Sequence, residues 1–202
     1  IGQAAVEANR DMISEFVALT CSDADVAVLT LSLGGGSGSG SAVPMVEILS
    51  GLGKPLLVLA ALPGSFDDSQ SRYNAVQTLG KLADLSSQGV ISSLIIIDNA
   101  KTEMTYPNLS QAKFFDISNR SVIEPLLLFN QVTAMPSNIE TMDPMDFSRA
   151  LLEAGSCSLF GSMKVTQEEY TGDESNMLSA MISKLPDALP AGDFNLAEAQ
   201  SV

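Results

Sequence analysis

The stretch Ser32-Leu33-Gly34-Gly35-Gly36-Ser37-Gly38-Ser39-Gly40-Ser41 decides how this chain is read. Immediately before it, residues 25–33 (DVAVLTLSL) are apolar and rich in β-branched side chains between polar neighbours, which predicts a buried strand. Immediately after it, a helix is predicted from about Ser41, with Pro44 tolerated in its first turn and Gly51 and Gly53 punctuating its end. The loop 34–40 therefore joins a strand to a helix. Glycines let consecutive amides turn inward at φ values that other residues avoid, and a helix N-terminus adds partial positive charge. Together they can cradle an anionic group such as phosphate, with the Ser37 and Ser39 hydroxyls as further donors. A flexible Gly/Ser linker is the competing reading of the same letters. Such linkers are not normally flanked at once by a buried strand and an amphipathic helix. No Lys follows the glycines as in a Walker loop, and the GxGxxG spacing is absent.

Outward from this loop the same alternation continues. Residues 54–62 (KPLLVLAAL), closed by Pro63-Gly64, and 90–98 (VISSLIIID) read as two more buried strands. Helices are expected over 1–17, where Ala5, Ala8, Met12, Ile13 and Phe16 recur at helical spacing, and over 70–88, ending at Gly89. Buried strands alternating with helices imply an α/β fold, a doubly wound and mostly parallel sheet covered on both faces. After Asn119 the alternation stops. A long helix over 119–135 is expected to present Val122, Ile123, Leu126, Leu127 and Val132 as one stripe, with Pro125 near its start, where a bend is expected. A helix over 144–154, a strand over 158–165 and a short helix over 176–185 in an acidic tail then suggest the start of a second, α+β domain. No internal repeat is visible. The chain opens at Ile1 in what reads as the middle of a helix, so a fragment is expected.

Composition removes several kinds of chemistry. Hydrophobic residues make up 46% of the 202 and aromatics 5%, enough for a packed core and too much for a disordered chain. There is no His, which excludes Ser-His-Asp and Cys-His catalysis and His-ligated zinc. Only Cys21 and Cys157 are present, so a Cys-rich metal site or disulfide framework is out, and reduced thiols in the cytoplasm are the expectation. A net charge of −14 argues against nucleic acid and anionic lipid as partners, yet leaves room for a small anion held by backbone amides. No apolar run is long enough for a membrane span.

The string SLGGGSGSG resembles the signature loop of the tubulin/FtsZ superfamily, usually written GGGTGTG or GGGTGSG, with Ser37 keeping the hydroxyl of the family's Thr. The resemblance runs on in order along most of the chain. Residues 2–16 are similar to the helix that follows the third nucleotide loop. Tyr73-Asn74-Ala75 resembles tubulin's sugar-contacting loop and the helix after it, and Ile97-Asp98-Asn99-Ala100 resembles the IDNEA run that ends a tubulin strand. Phe115 and Asn119 match the aromatic and the Asn that open the family's core helix. Asp143-Pro144-Met145-Asp146 falls where FtsZ has NxDFAD, and Glu153-Ala154-Gly155 where it has NAG. A tubulin-like middle with short loops suggests a prokaryotic, plasmid or phage member.

The resemblance implies a GTP-binding, GTP-hydrolysing cytoskeletal protein that polymerises head to tail with copies of itself. Its cofactors would be GTP and GDP, with Mg²⁺ carried by the nucleotide. It implies a partial GTP-binding domain over 1–118, a core helix over 119–140, and an acidic loop with the beginning of a C-terminal domain over 141–202. Gly34, Gly35, Gly36, Ser37, Gly38, Ser39 and Gly40 would hold phosphate, and Tyr73, Asn74, Asn99, Phe115 and Asn119 would hold the base and ribose. An Asn amide both donates and accepts, as a guanine edge requires, and an aromatic face stacks. Asp143 and Asp146 would enter the neighbouring subunit's pocket and polarise the attacking water. Other readings of these residues stay open. Asn99 also suits a turn, Asn119 a helix cap, and Asp-Pro-x-Asp an ordinary helix opening. Arg120 stands where FtsZ has Asp, and Thr141 where it has Asn before the first acid. Those departures motivate a non-hydrolysing GTP-binding filament or scaffold as one alternative. An unrelated flavodoxin-like or Rossmann-like nucleotide-binding domain is the other.

Overall fold

The apolar runs become a parallel sheet because each is too hydrophobic to leave either face in water. In a computed structural model that describes residues 1–134, 149, 152, 156–159, 161–170 and 174–192, the order begins with helices α1 (Gly2–Ala8) and α2 (Arg10–Thr20). Strand β1 (Ala27–Ser32), α3 (Gly38–Ser50), β2 (Leu56–Leu62), α4 (Ser69–Ser87) and β3 (Ser93–Asp98) follow. Then come α5 (Asn99–Thr105), α6 (Gln111–Ala134), β4 (Ser156–Ser158), α7 (Gln167–Tyr170) and α8 (Glu174–Ala188). The strands lie in the order β1-β2-β3-β4, every pair parallel, as the α/β reading requires.

Period-two alternation sends successive β2 side chains to opposite faces. Leu56, Val58 and Ala60 pack under α2, α3 and α4, against Val17, Ala42, Val46, Ala75 and Leu82. Leu57 and Leu59 join Ile95 and Ile97 on the other face, where Val122 and Leu126 of α6 cover them. Each such buried Leu, Ile or Val contributes roughly 1.5–3 kcal/mol. The sheet is doubly wound. Among the described residues, no helix is long and apolar enough to cross a membrane. Both thiols, Cys21 and Cys157, are free.

Several local expectations give way. The N-terminal helix is two helices, because Asn9 leaves helical geometry (φ −123°) and its Nδ2 donates to the Ala5 carbonyl at 2.8 Å. An Asn side chain that bonds nearby backbone competes with the helix ladder. Ile13 and Val17 then face the core, while Met12 and Phe16 are exposed. Helix α3 begins at Gly38 rather than Ser41, so Pro44 lies beyond the first turn. The ring of Pro44 approaches the carbonyl of the residue four before it, and that residue is Gly40. Helix α6 begins at Gln111 rather than Asn119, which puts Pro125 in mid-helix. Of the expected stripe, Val122 and Leu126 meet the sheet, Ile123 and Leu127 are exposed, and the Val132 side chain lies outside those described. The fourth strand is Ser156–Ser158, earlier than the expected 158–165, joined to β3 by the Ser93 hydroxyl donating to Ser158 Oγ at 2.8 Å. Helix α5 adds to the expected elements; the Asp98 side chain accepts from the Ala100 amide and caps it.

Candidate functional site

In a doubly wound sheet, ligands bind at the carboxyl ends of the strands. Here three connections gather there: the glycine loop after β1, residues 63–68 after β2, and the start of α5 after β3.

The glycine loop divides into residues that shape it and residues that present donors. Gly34 is a shaping residue. It is buried with φ +108°, its amide donates to Ser39 Oγ at 2.7 Å, and its carbonyl accepts from Asn74 Nδ2 at 3.2 Å. Gly38 is glycine for want of room, since a Cβ there would sit 1.9 Å from the Ser32 carbonyl oxygen. Gly40 likewise abuts α1, where its Cβ would come 3.0 Å from the Gln3 nitrogen. The Gly2 amide closes that contact by donating to the Gly36 carbonyl at 3.1 Å.

The donors are the amides of Gly35, Gly36, Ser37 and Gly38. None has an acceptor among the described residues. They run consecutively into the positive end of α3, while the Ser39 and Ser41 amides already donate back to Gly35 and Ser37 at 3.2 and 2.9 Å. A Cβ at Gly35 or Gly36 would meet nothing within 4 Å, so the space beside these two residues is open. Unpartnered consecutive amides at a helix N-terminus form an anion-binding concavity.

The residues expected at a base and sugar are placed as follows. Asn74, in the first half of α4, has both ends of its amide engaged: Nδ2 on Gly34 and Oδ1 accepting from Gln70 Nε2 at 2.9 Å. It holds the loop. Tyr73 beside it is exposed. Asn99 opens α5 at the end of β3, half-buried, and its Oδ1 accepts from the Ser118 hydroxyl at 2.8 Å. Phe115 and Asn119 are exposed on α6, spaced i to i+4 and so on one face of that helix. Phe115 rests edge-to-face on buried Phe114 (5.4 Å between centroids, 76°), which in turn meets Phe66 of the β2–α4 loop (5.7 Å, 82°). The Asn99–Ser118 bond thus brings the end of β3 to within one residue of Asn119. Asp143 and Asp146, together with Thr141 and the Glu153-Ala154-Gly155 run, lie outside the described residues.

Sequence reasoning missed Ser71, Ser118 and Glu103. Ser71 touches the position of a Gly34 Cβ at 3.1 Å and donates from its amide to the Asp68 carboxylate at 2.8 Å. Those bonds hold the Asp68 carboxyl below its usual range. Asp68 three residues before Ser71 is a legible helix-cap signal. Glu103 accepts from the Ser65 amide (3.1 and 3.3 Å) and hydroxyl, fastening the β2–α4 loop to α5. Beyond Phe114, a cavity of about 330 Å³ opens between Phe66, Glu103, Tyr106 and Asn108; Asn99, Phe115 and Asn119 do not line it.

Residues 1–106 match the family model described as the Tubulin/FtsZ family, GTPase domain. No curated protein sequence matches the chain. Among solved structures, a CetZ from Methanosaeta thermophila strain DSM 6194 is similar with a TM-score of 0.73 at 20% identity, covering 95% of this chain and 51% of that one. The TubZ of Clostridium botulinum phage c-st gives 0.67 at 18% identity, over 96% and 60%. An FtsZ dimer from M. jannaschii gives 0.62 at 23% identity, over 79% and 43%. At these identities the likeness is one of fold. The chain spans about half the length of the solved structures it resembles.

Proposed function

From membership of this chain in the Tubulin/FtsZ family, we propose that the protein binds and hydrolyses GTP and assembles head to tail with copies of itself. The observation that carries the reading is the run of four consecutive amides, Gly35 to Gly38, without acceptors among the described residues, with open space beside Gly35 and Gly36. They would hold the phosphate tail without any cationic side chain, which suits a chain of net charge −14. Mg²⁺ would offset the phosphate charge and would arrive with the nucleotide; among the described residues, no group of three or more Cys, Asp or Glu is arranged to hold it. The base would stack on exposed Phe115 and be read by Asn99 and Asn119. In this reading the chain up to α5 forms a partial GTP-binding domain, the core helix expected over 119–140 starts already at Gln111 with α6, and residues 141–202 supply the acidic loop with the beginning of a second domain. Asp143 and Asp146 of the next copy would orient and partly deprotonate the attacking water.

A shared site makes turnover per subunit rise with protein concentration, because each pocket is completed only on contact. The test is GTP turnover and sedimentation of the intact protein across a concentration series, repeated for Asp143→Ala and Asp146→Ala. The expected result is a turnover threshold that coincides with assembly, and a fall of about a hundredfold or more in either variant. Turnover per subunit that is unchanged in both variants overturns the shared-site mechanism. Stable filaments that retain GTP and release no phosphate would mark a scaffold instead.

A further inference from the structure

Resting on the guanine reading above, we propose that Ser118 is a positioning residue: it fixes which end of the Asn99 amide faces the base, and so selects a 6-oxopurine over a 6-aminopurine. The two ends of an Asn side chain are nearly the same size, so shape alone does not decide between them; hydrogen-bond partners do. Asn99 Oδ1 accepts from the Ser118 hydroxyl at 2.8 Å. Ser118 is buried in α6, with 6% of its surface exposed, and its hydroxyl has no other partner among the described residues. A flipped Asn99 would take Oδ1 away from the hydroxyl and leave its proton the carbonyls of its own helix turn, a poorer arrangement that a solvated serine would escape. With Oδ1 held, the Nδ2 donors are the end of the amide left for a ligand, and no acceptor among the described residues claims them.

The consequence is chemical discrimination. A donor-only Asn99 suits an exocyclic carbonyl oxygen such as O6 of guanine or hypoxanthine. It opposes the exocyclic amine of adenine with a second set of N–H groups. Without the Ser118 hydroxyl the amide would turn freely, and the same side chain would serve either base. Ser118 would then act through Asn99 without touching the ligand.

The experiment is equilibrium competition of GTP, ITP and ATP on the intact protein, for wild type, Ser118→Ala and Ser118→Thr, with thermal unfolding run alongside to establish that each is folded. ITP keeps the 6-oxo group and lacks the 2-amino group. Loss of one oriented hydrogen bond corresponds to about a tenfold fall in the preference for GTP over ATP in Ser118→Ala. ITP should follow GTP, and Ser118→Thr, which retains the hydroxyl, should restore the preference. A structural role alone would lower all three affinities together and leave the ratios intact, and that outcome overturns the proposal. Wild-type protein that binds no nucleotide, or prefers ATP, overturns the guanine reading and this inference with it. A wild-type preference for GTP that survives unchanged in Ser118→Ala overturns this inference alone.

Discussion

Gly36 and Gly38 sit two positions apart in one loop, yet only Gly38 presses on protein backbone, the Ser32 carbonyl, while the place of a Cβ at Gly36 is empty. Alanine at 38 would have to displace a strand residue from its register. That cost outweighs the ~1 kcal/mol that Ala gains over Gly in a helix and should leave a net loss of about 2 kcal/mol. Alanine at 36 should leave stability within ~0.5 kcal/mol and instead obstruct the proposed phosphate site. Urea unfolding of the two variants, paired with GTP binding on Gly36→Ala, checks this. A destabilised Gly36→Ala with unaltered GTP affinity would assign the loop a packing role and no ligand. The glycine run is legible as letters; which glycine is packed and which borders open space depends on Ser32 and α1, neither of which the run of glycines reveals.

At the scale of elements, one carboxylate ties α7 to α8. Glu169 accepts from the Thr166 amide and hydroxyl at 2.7 and 3.1 Å, a capping box written in the sequence as TQEE, and it also pairs with Lys184 of α8. The Lys184 contact first, then the Thr166 amide, lowers its pKa to about 2. The sign follows from the folded value lying below the ordinary 4.5. The contribution is fully present above that ordinary value and is lost as pH falls toward about 2. Carboxyl-resolved NMR titration should show the Glu169 midpoint rising in Lys184→Met while remaining below the ordinary value, because Thr166 still donates. An unmoved midpoint would mean that the two helices do not meet through this pair. The capping box is a local pattern of four residues, although no helix is expected there from the sequence. Lys184 as its second partner is not local, because it lies on another helix beyond residues 171–173.

For the whole molecule, a net charge of −14 bears directly on the proposed assembly. Like-charged copies repel at low ionic strength, and the Debye length shrinks from about 30 Å at 0.01 M salt to about 8 Å at 0.15 M. The protein concentration needed for sedimentation with GTP should therefore fall as monovalent salt rises through that range. A threshold that rises with salt would point to charge-complementary faces between subunits.

The periodicity of the chain alone determined that three apolar strands alternate with helices, that the sheet is parallel and doubly wound, and that a glycine loop opens α3. These follow because burial of both sheet faces leaves a continuous apolar signature, and because loop chemistry is local. Only the tertiary structure decided where helices begin and what the site residues hold. Asn74 closes on Gly34 across 40 residues of chain, and Ser118 on Asn99 across 19. Neither bond has a counterpart in local spacing. Each exists because the sheet sets the ends of its strands side by side, where side chains remote in sequence complete one another's hydrogen bonds.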